Sequence, residues 1–443
     1  MRKIHICTIA TILAVTAATM QGQTIRQELR ADNRRTAGNY LAYPEAGLPR
    51  LTPPPQGKKP FYINHFGSCG SYYCDQPKAF DEPFMTLAHA DSLGKLTPTG
   101  RDVMGRIGTL RRNAHNRWGE LSEKGVRQQR DLAKRMVQNF PDIFADGVNV
   151  SARSSTVSRS ILSMEQALLQ IAMLKPMTIR HKASKHHKYY INPAEPALTA
   201  QRMDSLTTLR YQEFAVSNET HGHLMATLFN DTAYVAHHVN ATALNQQLFD
   251  LAGTIQNTGL EGQITLYDIF TEEERYRNWR QQNAWWYINF GGCTLNGGKQ
   301  PYLQRQPLRK MIAMGDSIVA EKNPVVHLRY TMETVIMSLA CLMELNGYGL
   351  ATDDLESLDE RGWADYRICP MGSNIQMIHY RSSTDDTDVL VKVLLNEREA
   401  TLPVSTDCAP YYHWNDVRRY YLRKLDEYED TENERMRNER LRK

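Results

Sequence analysis

The chain has 443 residues, 41% hydrophobic and 23% charged, which is ample for a large buried core. Its 53 lysines and arginines against 49 aspartates and glutamates leave a formal net charge of +4, too small over this length to indicate nucleic acid as a partner. Length alone would fit two or three ordinary units, but the pattern below resolves into one core with one insertion.

The first 23 residues, MRKIHICTIATILAVTAATMQGQ, have the basic start, short apolar stretch and small or polar exit of a secretory signal, with cleavage expected between Thr19 and Thr24. Cys7 falls too early to be a lipid-modified cysteine at that point. The run is short for a membrane span, and no later segment is long and apolar enough. The expectation is therefore export, to the periplasm or beyond, with no stable membrane insertion after signal removal. Six cysteines remain: Cys69, Cys74, Cys293, Cys341, Cys369 and Cys408. An even number in an oxidising compartment is compatible with disulfides, and the sequence does not choose among pairings. With no CxxC pair and no nearby histidine pattern, neither a metal site nor a cofactor is expected.

Residues 24–58, ending in TPPPQGKKP, read as an irregular lead-in. A first strand is expected at Phe61 to His65, running into the glycine-rich GSCG. Ser122 is a plausible N-cap for a helix carrying Val126, Leu132, Met136 and Val137. Val148, Val150 and Ala152 alternate as a strand, and Ile161, Leu162, Ala167, Leu168 and Ile171 continue as a helix. Residues 175–300 lack this alternation and read as an inserted, mostly helical cap. The core, residues 59–174 and 301–415, resumes with a helix at Leu308 to Val319, a strand at Val325 to Tyr330 and a helix from Thr334 to near Gly347. Asn374 to Tyr380 and Val389 to Leu395 suggest a hairpin, and residues 416–443 a charged helix with a solvated face. Strand followed by helix, repeated, indicates an α/β fold with a doubly wound, mostly parallel sheet, whose ligands sit beyond the C-terminal strand ends.

Several segments carry a more specific likeness. YINHFGSCGSYY at 62–73, GELSEKGVRQQ at 119–129, ARSSTVSRSILSM at 152–164 and HLRYTMETVIMSLACLM at 327–343 resemble, in order, motifs of the histidine acid phosphatases. NAWWYINFGGC at 283–293, ADYRICPMGSNIQMIHYR at 364–381 and LLNERE at 394–399 extend the resemblance, which is nearest to the multiple inositol polyphosphate phosphatases and phytases. It implies the phosphoglycerate-mutase-like fold and phosphomonoester hydrolysis. In that chemistry a histidine attacks phosphorus, arginines and a second histidine hold the equatorial oxygens, and an acid protonates the leaving group.

Carried over by position, the first arginine falls on Ser68, the nucleophilic histidine on Cys69, the second arginine on Tyr72 and the distal histidine on Met332. Only Gly70, the third arginine as Arg159 and the proton donor as Glu333 keep their expected character. Charge-assisted hydrogen bonds contribute roughly 1.5–3 kcal/mol each, so losing two arginines and a histidine removes about 5–9 kcal/mol of anion recognition. That is a weakening on the order of a thousandfold to a millionfold. The resemblance thus implies an ancestral inositol polyphosphate phosphatase whose present copy is inactive or severely impaired, with a phosphorylated small molecule as a weakly bound partner. The alternative is an active acid phosphatase using an altered centre with Glu333 as proton donor.

Four further features have two readings each. Cys69 could act as a thiolate nucleophile, although thiolate phosphatases place an arginine six residues on and Asp75 stands there, or be a neutral loop thiol or a disulfide partner, with Cys74 nearby. His65 could be a displaced nucleophile or a hydrogen-bonded structural histidine. Arg153 could supplement Arg159 or pair with a surface carboxylate. The run RHKASKHHKYY at 180–190 could be a cationic rim that gathers a polyanion or a solvated basic loop.

Overall fold

The computed structural model describes residues 25–145, 147–319, 321 and 323–442. The expected signal peptide, residues 1–23, lies outside the described residues. In chain order the main elements are a helix α1 over residues 25–31, strand β1 (Lys59–Ser68), helices α2 (Lys78–Ser92), α3 (Pro98–Ala114) and α4 (Glu123–Asn139), strand β2 (Asn149–Ser154), helix α5 (Ser158–Leu174) and strand β3 (Thr178–Ala183). Several short helices precede α6 (Ala241–Thr254) and α7 (Glu272–Phe290). Then follow α8 (Arg305–Ile318), β4 (Val325–Thr331), α9 (Glu333–Leu342), the strands β5 (Asn374–Arg381), β6 (Leu390–Leu395), β7 (Arg398–Glu399) and β8 (Tyr412–His413), and α10 (Trp414–Arg442).

One sheet runs in the order β3-β2-β4-β1-β5-β6-β7, with β8 paired to β6. Strands β3, β2, β4 and β1 are parallel, whereas β5 to β8 join antiparallel. The sheet is thus more evenly mixed than the mostly parallel one expected. β1 is buried from Phe61 to Ser68, because helices cover both of its faces and leave no solvated side to impose alternation. On one face Ala133, Met136, Ala167 and Ile171 of α4 and α5 pack against Val150, Val326 and Leu328. On the other, Leu308, Ile312 and Ile336 of α8 and α9 pack around Tyr62, Phe66 and Met377. The hairpin of β5 and β6 forms as the patterning suggests.

Four expectations need correction. The insertion does not begin at residue 175, because β3 pairs in parallel with β2 from Thr178 to Ala183 and forms the sheet edge. The lead-in is not irregular throughout: α1 buries Ile25 and Leu29, and a 3-10 segment spans Asn33–Tyr40. α2 and α3, which periodicity had not singled out, bury Leu87, Val103 and Ile107 with Leu224, Leu248 and Phe270, so residues 78–114 share the helical cap's core. Finally, α10 is not mainly a solvated face in its first turns. Val417, Tyr421 and Leu425 are buried, and Tyr421 Oη donates to the Met343 carbonyl at 2.8 Å.

Candidate functional site

The C-terminal ends of β1, β2 and β4 point the same way, and the chain leaving each one enters a common centre. The loop after β1 is fixed through its backbone. Gly70 N donates to Ser163 Oγ on α5 (3.2 Å), and Ser71 N to Gln128 Oε1 on α4 (2.8 Å). Gln129 Nε2 donates to the Ser68 carbonyl (3.2 Å). Ser122 performs two tasks: its Oγ accepts from Gly125 N, capping α4, and donates to the Ser71 carbonyl at 3.0 Å. The approach leaves no room for side chains. A Cβ on Gly125 would stand 2.2 Å from Ser71 O, and one on Gly70 would stand 2.5 Å from Gly125 O. The spacing of GELSEKG is therefore a contact requirement between loop and helix.

Cys69, Tyr72, Arg159 and Glu333 converge on this frame. Cys69 is 1% exposed, packed with Tyr72 and Met371. Burial pushes its thiol up to about 12; Glu333 acts in the same direction and Arg159 opposes it. Such a thiol is protonated at neutral pH and is a poor nucleophile. The Arg159 guanidinium lies over the Tyr72 ring, 4.4 Å from its centroid, and 3.9 Å from the Asp75 carboxylate. Its Nε has no hydrogen-bond partner among the described residues. Tyr72 Oη donates to Glu333 Oε1 over a long 3.4 Å. Glu333 opens α9 and is half-buried, with Oε2 enclosed and unpartnered among the described residues, and desolvation holds its carboxyl above the usual range. The centre can therefore present a carboxyl group with a raised pKa, one cation already engaged by a ring and a carboxylate, and a neutral thiol.

The other two carried-over positions turn inward. Ser68 is buried and its Oγ shares a 2.9 Å hydrogen bond with Ser373 Oγ. Met332 precedes α9, with its sulfur 3.9 Å from Ser160 Oγ. Sequence reasoning missed Tyr40, whose ring lies 6.4 Å from that of Tyr72, and the segment 369–373. There Cys369 donates to the Glu333 carbonyl at 3.1 Å. Nothing local marks Tyr40, which arrives from the lead-in. The segment 369–373 had a signal, in that MGSN lies within a stretch already tied to the family.

The features with two readings now have positions. The His65 ring is buried and packs at 5.3 Å on Tyr330; burial lowers its pKa to about 3, so it is a neutral core residue. It is less well bonded than expected, since Nδ1 has no partner among the described residues. Arg153 donates to the carbonyls of Ala152 and Arg180 (2.8 and 3.3 Å), and among the described residues it forms no ion pair with a carboxylate. The basic run is not a loop at its start: Arg180 to Ala183 belong to β3, where charge on an edge strand discourages pairing with other chains. Tyr190 and Ile191 at its end are buried. All six cysteines are free. Among the described residues, the group with metal-ligand character is Asp407, Cys408 and His413, whose ligand atoms lie within 4.8 Å of one another beside β8. His413 is already held there by Asp388 (2.6 Å) and Asp407 (3.0 Å).

Comparison with known proteins places this geometry. No curated protein matches by sequence. The multiple inositol polyphosphate phosphatase of Bifidobacterium longum, solved with inositol hexasulfate, superposes with a TM-score of 0.71 at 14% identity, over 86% of this chain and 96% of that one. The D. castellii phytase superposes with a TM-score of 0.59 at 14% identity, over 88% and 85%. At such identities the likeness concerns the fold. The family model of the histidine phosphatase superfamily (branch 2) matches residues 86–396, well over half of the sequence, and the chain therefore belongs to that family.

Proposed function

We propose that this protein is a histidine phosphatase scaffold that has lost phosphomonoester hydrolysis and now acts as a non-catalytic binder, with at most weak affinity for inositol polyphosphates or related anions. The observation that carries the reading is the pairing at the centre of the cleft. The nucleophile position holds a buried, protonated thiol, and the surviving arginine is stacked on Tyr72 beside the carboxylate of Asp75. Neither an attacking group nor a free charge clamp is left, and these two supply most of the rate in phosphoryl transfer. The reading also takes the protein as exported, on the strength of residues 1–23.

A second reading rests on Glu333. A half-buried carboxyl held above its ordinary pKa suits a proton donor, so residual turnover through an altered centre would have one of its parts in place. Phosphate release from myo-inositol hexakisphosphate and a panel of phosphomonoesters separates the two. We expect release at least about a thousandfold slower than from a family member with the full motif. Turnover within tenfold of that relative, abolished by Glu333→Ala, overturns the non-catalytic reading. Loss on Cys69→Ala as well would assign the attack to the thiol.

A further inference from the structure

Beside the degenerate centre lies a second feature that the phosphatase chemistry does not use. A cavity of about 590 Å³ opens between the loop after β1, α2, α6 and α7, within the range of roughly 300–1,000 Å³ typical of small-ligand sites. It reaches the centre through Tyr40, Cys74 and Asp75.

Its wall has the wrong charge for a polyanion. Asp75, Glu82 and Asp250 line it against a single cation, Lys78. The larger cavity elsewhere does carry arginines, but three of its four are spent on carboxylates, and Arg398 reaches the Gly47 carbonyl. Arg34 pairs with Asp32 (2.9 Å), and Arg35 and Arg367 pair with Glu28 (3.0 and 2.8 Å).

The polar groups in the smaller cavity are arranged to accept hydrogen bonds. Asp250 Oδ1 takes the amide N–H groups of both Gln246 (2.8 Å) and Gln282. Gln247 Nε2 likewise donates to Glu82 (2.8 Å). Each amide spends one of its two N–H donors on a carboxylate within the wall. Asp250 Oδ2 and the glutamine carbonyls remain as acceptors beside the second N–H of each amide, a set that suits hydroxyls, which both donate and accept, while the carboxylates favour a ligand with O–H or N–H donors. The apolar part of the wall is aromatic. Trp285 is the only exposed tryptophan among the described residues, at 38%. It stands edge-on to Trp286 with centroids 5.4 Å apart. A flat, immobile ring of this kind gives a large contact at small entropic cost, and it suits the C–H face of another ring.

We propose that this cavity binds a non-anionic saccharide ring, neutral or amine-bearing, with its hydroxyl or ammonium donors on Asp250, Gln246 and Gln282 and its apolar face on Trp285. The proposal deepens the non-catalytic reading and rests on it: the old catalytic loop becomes one wall of a binding site whose preference has turned from phosphate to hydroxyl.

The test uses the full-length protein, with tryptophan fluorescence and saturation-transfer NMR as readouts. The probes are glucose, N-acetylglucosamine, glucosamine and myo-inositol, followed by an immobilised array of neutral and amine-bearing glycans. Myo-inositol hexakisphosphate serves as the anionic counterpart. At least one non-anionic ring should bind, and Trp285→Ala and Asp250→Asn should each weaken it at least tenfold. Phosphate should not compete. Glucosamine binding more tightly than glucose, with the advantage lost in high salt, would identify an ammonium on the carboxylates; equal binding would identify hydroxyls alone. No binding by any probe or array member overturns the proposal, as does binding unaffected by both substitutions or tighter binding of the hexakisphosphate at this cavity. Because phosphate release is measured on the same sample, a failed saccharide site in an inactive protein is distinguishable from an active phosphatase.

Discussion

The backbone of the loop after β1 and the side chains that it carries have followed different courses. Along the backbone every contact has a partner that fits: Gly70 against Gly125, Ser71 N on Gln128, and the Ser71 carbonyl on the residue that caps α4. At the side chains, the proposed reading has charge exchanged for packing. Cys69 and Tyr72 are buried with Met371, and Ser68 bonds to Ser373. A scaffold built from close main-chain approaches stays in place when its functional groups are replaced, since those groups contributed to an anion's stability rather than to the loop's.

The sharpest way to break this comparison is to install the groups that the proposed reading takes as lost. Ser68→Arg, Cys69→His, Tyr72→Arg and Met332→His together, combined with Asp75→Ala to release Arg159, should raise phosphate release by at least about a thousandfold over the starting protein, in a manner dependent on Glu333. Single changes should recover almost nothing, because such residues act as a unit. A folded variant that binds phosphate but forms no phosphohistidine would show that the backbone has drifted.

The scaffold side of the comparison is tested by Gly125→Val. With Ser71 O standing 2.2 Å from the new Cβ, the loop and α4 cannot both keep their positions. We expect a loss of about 3 kcal/mol or more in denaturant unfolding, the size of effect associated with strain or overpacking in a core. A loss below about 1 kcal/mol would mean that the two elements separate easily.

How much of this was legible in the sequence depended on whether the determinant was local. Ser122 as a helix cap, the helix of α5 and the hairpin of β5 and β6 followed from capping and periodicity. β3 was missed because Thr178 to Ala183 reads TIRHKA, an edge strand whose polar residues are allowed by solvent. The packing of α2 and α3 on the cap depends on partners more than a hundred residues away. At the site, motif order was enough to bring Cys69, Tyr72, Arg159 and Glu333 together. Two things stayed hidden until distances were known: Tyr40 against Tyr72, and Asp75 as the counter-charge of Arg159.

Two acids with raised pKa sit in different settings, Asp365 fully buried and Glu333 half-buried at the candidate site. Asp365 accepts from Trp279 Nε1 (3.0 Å) and the Tyr366 amide (2.8 Å). Burial nonetheless raises its pKa from 3.8 to about 7, and Oδ2 has no partner among the described residues. A folded-state pKa above the unfolded value makes protonation favour the native state. This contribution is complete below about pH 4 and disappears as pH rises through 7. Asp365→Asn removes the ionisable group at nearly constant shape, so its effect on stability should be more favourable at pH 8 than at pH 5 by roughly 2–3 kcal/mol. Unfolding curves at the two pH values provide the measurement. An equal effect at both would place the cost of Asp365 in packing. Glu333→Gln gives the contrast, with its pH-dependent part compared against any residual phosphate release.

The smallest expected effect isolates the pairing that carries the functional reading. The Asp75 carboxylate is about half exposed and 3.9 Å from Arg159, whose side chain is only 11% exposed. A partly exposed pair at this separation contributes roughly 0–1 kcal/mol to stability, so Asp75→Asn should leave the unfolding midpoint nearly unchanged. Its effect on anions should be larger in proportion, because the substitution removes a negative charge from the approach to the one cation of the centre. We expect affinity for inorganic phosphate or myo-inositol hexakisphosphate to rise about three- to tenfold, read by titration calorimetry at low salt, and to fall again as salt screens the site. Most of the gain should disappear in the double variant Asp75→Asn, Arg159→Ala, since Asp75 acts on an anion at the centre chiefly by neutralising Arg159. If the gain survives in the double variant, the anion is held elsewhere, and the basic stretch from Arg180 to Lys188 becomes the next place to substitute. If the single substitution changes nothing, stacking on Tyr72 alone keeps Arg159 from the ligand, and Tyr72→Ala is the change that should release it.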